Sequence, residues 1–373
     1  MKTSNPQTPP PSPSRASPLR RAASALADGL GRWRRGASKP APLNLALQGG
    51  GSHGAFTWGV LDRLLEEEDF AVEGTSGASA GAMNAVVLAS GYLSGGRRGA
   101  QQALREFWQG VSQASRLGPL QPSPLDAWLG GWNLQWSPGY ALFRSLARAA
   151  SPYQLNPTGY NPLLSLLARH VDFERLRRST LPKLFIAATD VHSGELRVLR
   201  NHELSPKALA ASACLPLVFH AVELDGSHYW DGGYSANPPL MPLVLECRSH
   251  RVLLVRLSPL HHPGVPRQVD EILARSNEFC FNAGLLRELQ LLEQVRAQAG
   301  LGLGRLARRL RRLALEQIHT DGKLIDYGES SRINAEWTFL RHLHELGWQQ
   351  ADAWLAGREP AAAAADTTAA APV

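Results

Sequence analysis

Ser79 lies in the run Gly77-Ala78-Ser79-Ala80-Gly81, between a segment that reads as a strand and one that reads as a helix. Small neighbours let the backbone double back, and Gly-x-Ser-x-Gly at a strand-to-helix turn is the pattern of a nucleophile elbow. A serine hydroxyl is a weak nucleophile until a base takes its proton. None of the 12 histidines sits in a setting that announces that role: His261 and His262 flank proline in a loop, and His170, His202, His319, His342 and His344 fall on expected helix faces or edges. A carboxylate is the better candidate. In VELDGSHYWDGGYS, Asp225-Gly226 reads as a hairpin turn and Ser227 to Trp230 as a short strand that delivers Asp231 just before Gly232 and Gly233. Held there among small neighbours a carboxylate can approach a serine, and a dry pocket raises its pKa toward that of a working base. Taken alone, Asp-Gly-Gly is most simply a turn.

A third feature precedes both. Leu43, Leu45 and Leu47 mark a short strand, Gly49, Gly50 and Gly51 a loop, and Ala55 to Glu67 a helix with apolar positions near every fourth residue. Gly49-x-Gly51-x-x-Gly54 also fits a dinucleotide fingerprint, but the acid expected about 20 residues later is represented only by the solvated run Glu66 to Asp69, and no Lys-Ser/Thr ending follows. A glycine loop and a serine elbow on successive parallel strands instead put backbone N–H groups beside the nucleophile, which is what an oxyanion hole requires. Two readings outside ester hydrolysis stay open at this point: nucleotide binding by the loop, and a catalytically idle scaffold that binds lipid or a partner.

Taken together, the three motifs resemble the patatin-like phospholipase family over roughly Leu43 to Glu246. The family pattern is a Gly-x-Gly-x-x-[Arg/Lys]-Gly-type oxyanion loop, a Gly-x-Ser-x-Gly elbow about 30 residues on, and an Asp-Gly-[Ala/Gly] that completes a Ser-Asp dyad without histidine. Gly49 to Gly54, Gly77 to Gly81 and Asp231 to Gly233 follow in that order. AATDVHSGELRVL, with Asp190 and Gly194, and the stretch Leu209 to Gly226 add further likeness. The resemblance implies Ser79 as nucleophile, Asp231 as base, Gly49, Gly50 and Gly51 as the oxyanion hole, and Gly54, Gly77, Gly81, Gly232 and Gly233 as supporting positions. His53 departs from the pattern, standing where the family has arginine or lysine, and reads as a residue that orients the loop. Asp190, a strand-end aspartate before a Ser-Gly turn, reads as a bonder of backbone N–H groups and is left out of the catalytic set.

The elements that must position these residues suggest an α/β fold, a three-layer α/β/α domain with a mainly parallel sheet over residues 41–258, followed by a helical C-terminal extension over 259–358 like that of some bacterial members of the family. The extension includes GLGRLARRLRRLALEQ, whose Leu303, Leu306, Leu310 and Leu313 oppose Arg305, Arg308, Arg309, Arg311 and Arg312 in one cationic amphipathic helix. Trp128, Trp132 and Trp136 recur every fourth residue and continue to Tyr140, which suits either a lipid-facing mouth or core packing. Residues 359–373 read as a disordered Ala-rich tail.

Charge is unevenly spread. The first 40 residues hold eight basic side chains against one acid, which is the whole net charge of +7. They begin as a Pro/Ser-rich tail expected to be disordered and end in a basic amphipathic stretch, Leu19 to Gly36, suited to an anionic membrane surface or to a solvated linker. The rest of the chain is balanced in charge, which argues against nucleic acid as a partner. Cys214, Cys247 and Cys280 are odd in number and widely spaced, so neither a disulfide framework nor a metal site is expected, and they read as buried thiols. No cofactor is implied. The expected substrate is a lipid or another acyl ester, and the expected location cytoplasmic, with peripheral membrane contact left open.

Overall fold

The computed structural model describes residues 42–368 apart from 117, 119, 124–125, 127–130, 263, 299–303, 321–322 and 325–326. The expectations for the N-terminal tail and for Trp128 and Leu303 therefore lie outside the described residues. The described residues form a single compact unit.

The strands are β1 (Leu43–Leu47), β2 (Val72–Gly77), β3 (Lys183–Asp190), β4 (Leu196–Arg200), β5 (Val222–Leu224), β6 (Ser227–Asp231), β7 (Arg251–Arg256) and β8 (Ala314–His319). Among the helices, those that matter here are α1 (Gly54–Glu66), α2 (Ala80–Ser115), α3 (Pro138–Ala149), α4 (Pro206–Ser212), α5 (Met241–Glu246), α6 (Val269–Gln298), α7 (Arg305–Arg312) and α8 (Trp337–Thr368). Hydrogen-bonded neighbours run β5-β6-β3-β2-β1-β7-β8, with β4 also paired to β3. Pairing is parallel from β3 through β8 and antiparallel for β4, β5 and β6.

Strand alternation sorts the core into two faces. Leu45, Leu47, Ile186, Leu253 and Val255 join the cluster formed with α1, α2 and α8, whereas Ala46, Phe185, Val252 and Leu254 join Leu243, Leu285, Leu292 and Leu310 of α5, α6 and α7. The sheet is thus covered on both sides, giving the expected three layers; β1, β3 and β7 are largely apolar, as doubly covered parallel strands tend to be, whereas β2 buries Glu73, Thr75 and Ser76. Burial of each such leucine or valine contributes roughly 2 kcal/mol.

The C-terminal region is more than an appended set of helices. α8 crosses α1 at two glycines, with Gly59 against the His344 carbonyl and Gly347 against the Phe56 carbonyl. The cationic stretch also differs from the single helix expected of it. Helix α7 stops at Arg312, and Ala314–His319 becomes β8, parallel to β7 from Arg251↔Ala314 to Arg256↔His319. A free edge of β7 offers backbone partners that helical periodicity alone does not reveal, so tertiary pairing overrides local propensity. Trp132 stacks on Phe339 and His342 with centroids 5.1 and 5.2 Å apart, and it is a packing residue, whereas Trp136 is exposed. Cys214 and Cys247 are buried, but Cys280 is exposed on α6, contrary to expectation.

Candidate active site

The register of β3 decides how Ser79 and Asp231 meet. β4 occupies one edge of β3 at residues 185–189, so β2, against 183–186, and β6, against 188–190, share the other edge. β2 runs parallel to β3 and β6 antiparallel, so their C-terminal ends point at each other. Gly77 pairs with Ile186 and Asp231 with Ala188, two residues further along. Ser79 follows β2 by two residues and Asp231 closes β6, and the gap between the strand ends holds both.

Ser79 has φ 52° and ψ −126°, a left-handed conformation for a residue with a side chain. Such strain costs about 1–3 kcal/mol and persists only where neighbours hold it. Here the Ser79 N–H donates to the Ser212 carbonyl at 3.1 Å and to Ser212 Oγ at 3.2 Å, at the end of α4. Gly81 passes directly against the Leu47 carbonyl, where a Cβ has no room. The elbow is therefore fixed by β1 on one side and α4 on the other.

Asp231 is fully buried. Its Oδ1 accepts the Gly233 N–H at 2.8 Å, its own N–H donates to the Cys214 carbonyl at 2.8 Å, and Oδ2 has no hydrogen-bond partner. Burial pushes the carboxyl up to about 7, while the Gly233 N–H and the nearby Ser79 side chain pull it down. No histidine among the described residues hydrogen-bonds to either side chain. The carboxylate is thus poised to exchange a proton near neutral pH with the hydroxyl beside it. Asp190, by contrast, accepts from the N–H groups of His192 and Ser193 at 2.9 and 3.0 Å, a turn role.

The glycine loop stands against the elbow. A Cβ at Gly49 would lie 2.7 Å from that of Ser79. Gly49 is nevertheless engaged: its N–H donates to Asn237 Oδ1 at 2.6 Å and its carbonyl accepts from Asn237 Nδ2 at 3.3 Å. Its N–H is already used, and of the three expected donors only the Gly50 and Gly51 N–H groups have no protein acceptor among the described residues. The N–H of Ala80, the first residue of α2 and next to Ser79, likewise has no protein acceptor among the described residues. Asn237 and Ala80 were not singled out from the sequence. An N–H that follows a nucleophile at a helix start was available as a signal for Ala80, whereas nothing local distinguishes Asn237.

His53, in the loop, is anchored by side chains of the C-terminal region. It is buried, its Nε2 hydrogen-bonds to Ser331 Oγ at 2.7 Å, and its ring meets Phe339 edge-on. Burial and the charge of Arg332 hold its pKa well below the usual value, so it is neutral at pH 7. Gln48, also buried, takes the N–H groups of Leu257 and Ser258 at the end of β7 and donates to Asn282 of α6. Gly54 packs on Ala80, Gly77 on Gly81, Gly232 on Ala187 and Gly233 on Phe281. No group of His, Cys, Asp and Glu suited to a metal occurs among the described residues.

A family model described as patatin-like phospholipase matches residues 45–244, more than half of the chain. Among solved structures the chain is similar to VipD from Legionella pneumophila, at 15% identity and a TM-score of 0.38, covering 82% of this chain and 67% of that one. No curated protein matches.

Proposed function

The chain belongs to the patatin-like phospholipase family of lipid acyl hydrolases, and from that membership we propose that it cleaves carboxylic esters of lipids with Ser79 as nucleophile and Asp231 as its only base. The observation that carries this reading is the strained Ser79 turn beside a buried carboxylate with one unpartnered oxygen. Asp231 takes the Ser79 proton as Oγ attacks the ester carbonyl, and the oxyanion is received by the free N–H groups of Gly50, Gly51 and Ala80. The protonated Asp231 then gives its proton to the departing alcohol. Water, deprotonated by Asp231, releases the acyl group from Ser79. A fluorophosphonate probe followed by a lipid panel tests the assignment: labelling in the wild type and none in Ser79→Ala supports it, and an unlabelled wild type ends it.

A base whose pKa is near 7 sets the pH dependence. Below about 7 the Asp231 carboxyl is protonated and cannot accept the Ser79 proton, so kcat/KM on a soluble ester should rise about tenfold per pH unit and level off above 7. A profile flat from pH 5 to 8 excludes Asp231 as the base.

Surface features favour access from a lipid interface. Phe281 of α6 packs on Gly233 and, at 4.6 Å between centroids, on Tyr234. Toward its N-terminus the same helix exposes Val269, Ile272 and Leu273, and the Arg144–Asp270 ion pair at 2.7 Å ties it to α3, which exposes Leu142 and Leu146. No helix among the described residues is long and apolar enough to span a bilayer. A basic site lies elsewhere: Arg305, Arg308, Arg309 and Arg312 of α7, with His250, Leu245 and Leu306, line a surface cavity of about 420 Å³. Arg309 is tied to the Cys247 and Ser249 carbonyls, which leaves Arg305, Arg308 and Arg312 as the residues to change. Each cation near an anionic surface contributes on the order of 1 kcal/mol, screened over about 8 Å at physiological salt. Converting these three to Gln, or deleting residues 1–40, should weaken co-sedimentation with anionic vesicles and flatten its salt dependence. Equal binding by all three proteins, or equal binding to neutral vesicles, refutes docking by charge.

A further inference from the structure

The segment Glu329–Ile333 lies about 250 residues after Ser79 in the sequence yet packs on the glycine loop. A Cβ at Gly51 would strike the Arg332 carbonyl, and one at Gly50 would lie 3.7 Å from an Arg332 guanidinium nitrogen. The guanidinium also donates to Ser258 Oγ at 3.0 Å. Ser258 in turn donates its N–H to Gln48, the residue that enters the loop, at 2.9 Å. A continuous path therefore joins Arg332 to both sides of Gly49-Gly50-Gly51.

The charge in this position is distinctive. Arg332 forms no ion pair among the described residues, although Glu278 and Glu329 are near enough to favour its charged form, and its surroundings desolvate it. His53, the ionisable side chain of the loop itself, is neutral and held by Ser331, the residue next to Arg332. A guanidinium keeps its proton even when desolvated, and in a low-dielectric setting its field reaches further than in water. Gly50 lies within contact of the guanidinium, and Gly51 packs on the Arg332 carbonyl.

We propose that Arg332 is a positioning residue of the ester-cleaving site, its guanidinium setting the Gly50 and Gly51 N–H groups and adding a positive field where the substrate oxygen becomes negative. The proposal rests on the Ser79–Asp231 reading above. It makes the C-terminal region part of the catalytic apparatus. It also distinguishes two contributions of Arg332, since its carbonyl packs on Gly51 whatever side chain it carries, while only the guanidinium brings charge.

The test uses the full chain and a soluble, uncharged p-nitrophenyl ester, so that neither vesicle binding nor headgroup charge enters. Arg332→Met, which keeps length and loses charge, should lower kcat by roughly tenfold to hundredfold with KM within about twofold, because the field acts on the transition state. Arg332→Lys should retain kcat within about threefold, or guanidinium ion added below its denaturing range should restore Arg332→Ala. Thermal melts accompany each variant. Wild-type kcat in Arg332→Met overturns the proposal. So does a loss that neither lysine nor added guanidinium relieves, since that is the signature of a structural prop. Fluorophosphonate labelling of the wild type separates the two readings: if Ser79 is labelled and Arg332→Met is unimpaired, only the role of Arg332 falls, and if Ser79 is not labelled, the active-site reading falls and takes this one with it.

Discussion

Ser79→Ala and Asp231→Asn should each reduce ester hydrolysis by about a thousandfold or more, and the double variant should be little worse than either single one. In the proposed mechanism the two side chains form one proton-transfer unit, so removing either disables the other. Additive losses would mean that they act separately. The same pair makes a second, opposite prediction for stability. Asp231 is buried and its carboxyl titrates near 7 in the folded chain, against 3.8 for an ordinary aspartate. Between those values the folded state keeps a proton that the unfolded chain has released, so wild-type stability falls as pH rises from about 4 to 7 and stays at the lower level above. Asp231→Asn carries no charge there. It should be more stable than wild type at pH 8, by an amount on the order of 4 kcal/mol, with the advantage shrinking toward pH 4. Urea melts at pH 4.5 and pH 8 measure this directly. An inactive variant with no pH-dependent gain would show that the carboxyl is not desolvated in the native state.

The glycine loop should separate two neighbouring positions. Gly51 has φ +60°, where a residue with a Cβ pays about 1 kcal/mol, and its Cβ would collide with the Arg332 carbonyl. Gly51→Ala must shift the loop, and with Gly51 as one of the proposed oxyanion donors its misplacement costs roughly 3 kcal/mol in the barrier, or about a hundredfold in kcat with KM little changed. At Gly50 φ is 176°, and the one tight contact of a Cβ would be the end of Leu257 at 3.1 Å, with Leu257 Cβ at 3.6 Å and Arg332 at 3.7 Å in ordinary contact. Gly50→Ala should therefore be far milder, provided that the flexible leucine yields. Comparable loss in both variants would count against the backbone-strain account. A rise in KM alone at Gly51 would make the loop a substrate-binding element and not an oxyanion hole.

Much of this was legible in local sequence. Gly77-Ala78-Ser79-Ala80-Gly81 announced a strand-to-helix turn because only small residues let that backbone pass, and the structure has β2, the left-handed Ser79 and α2 there. Asp225-Gly226 announced a hairpin, and φ is +52° and +83° at the two positions. The alternation of Leu43, Leu45 and Leu47 marked the central strand that became β1. Each of these depends on residues within a few positions of one another, where sterics and solvent preference act without the rest of the chain.

Other features depended on partners far away in sequence, and no local pattern carried them. Helical spacing in Leu306, Leu310 and Leu313 predicted one helix through Gln317, yet the open edge of β7 drew Ala314–His319 into the sheet, since unpaired strand edges gain hydrogen bonds that a solvated helix end does not offer. Gly49 was expected to donate to the substrate, but Asn237, 188 residues later, takes its N–H. The motif order of this chain, through its likeness to the patatin-like family, determined a mainly parallel α/β core with a serine, an aspartate and a glycine loop. Tertiary structure alone decided that β2 and β6 end face to face on one edge of β3, that Asp231 is dry enough to titrate near neutrality, and that Arg332 reaches the loop. The reason is physical: turns and periodicity are fixed by neighbours in the chain, whereas desolvation, register and the path of a distant side chain exist only once the segments are packed together.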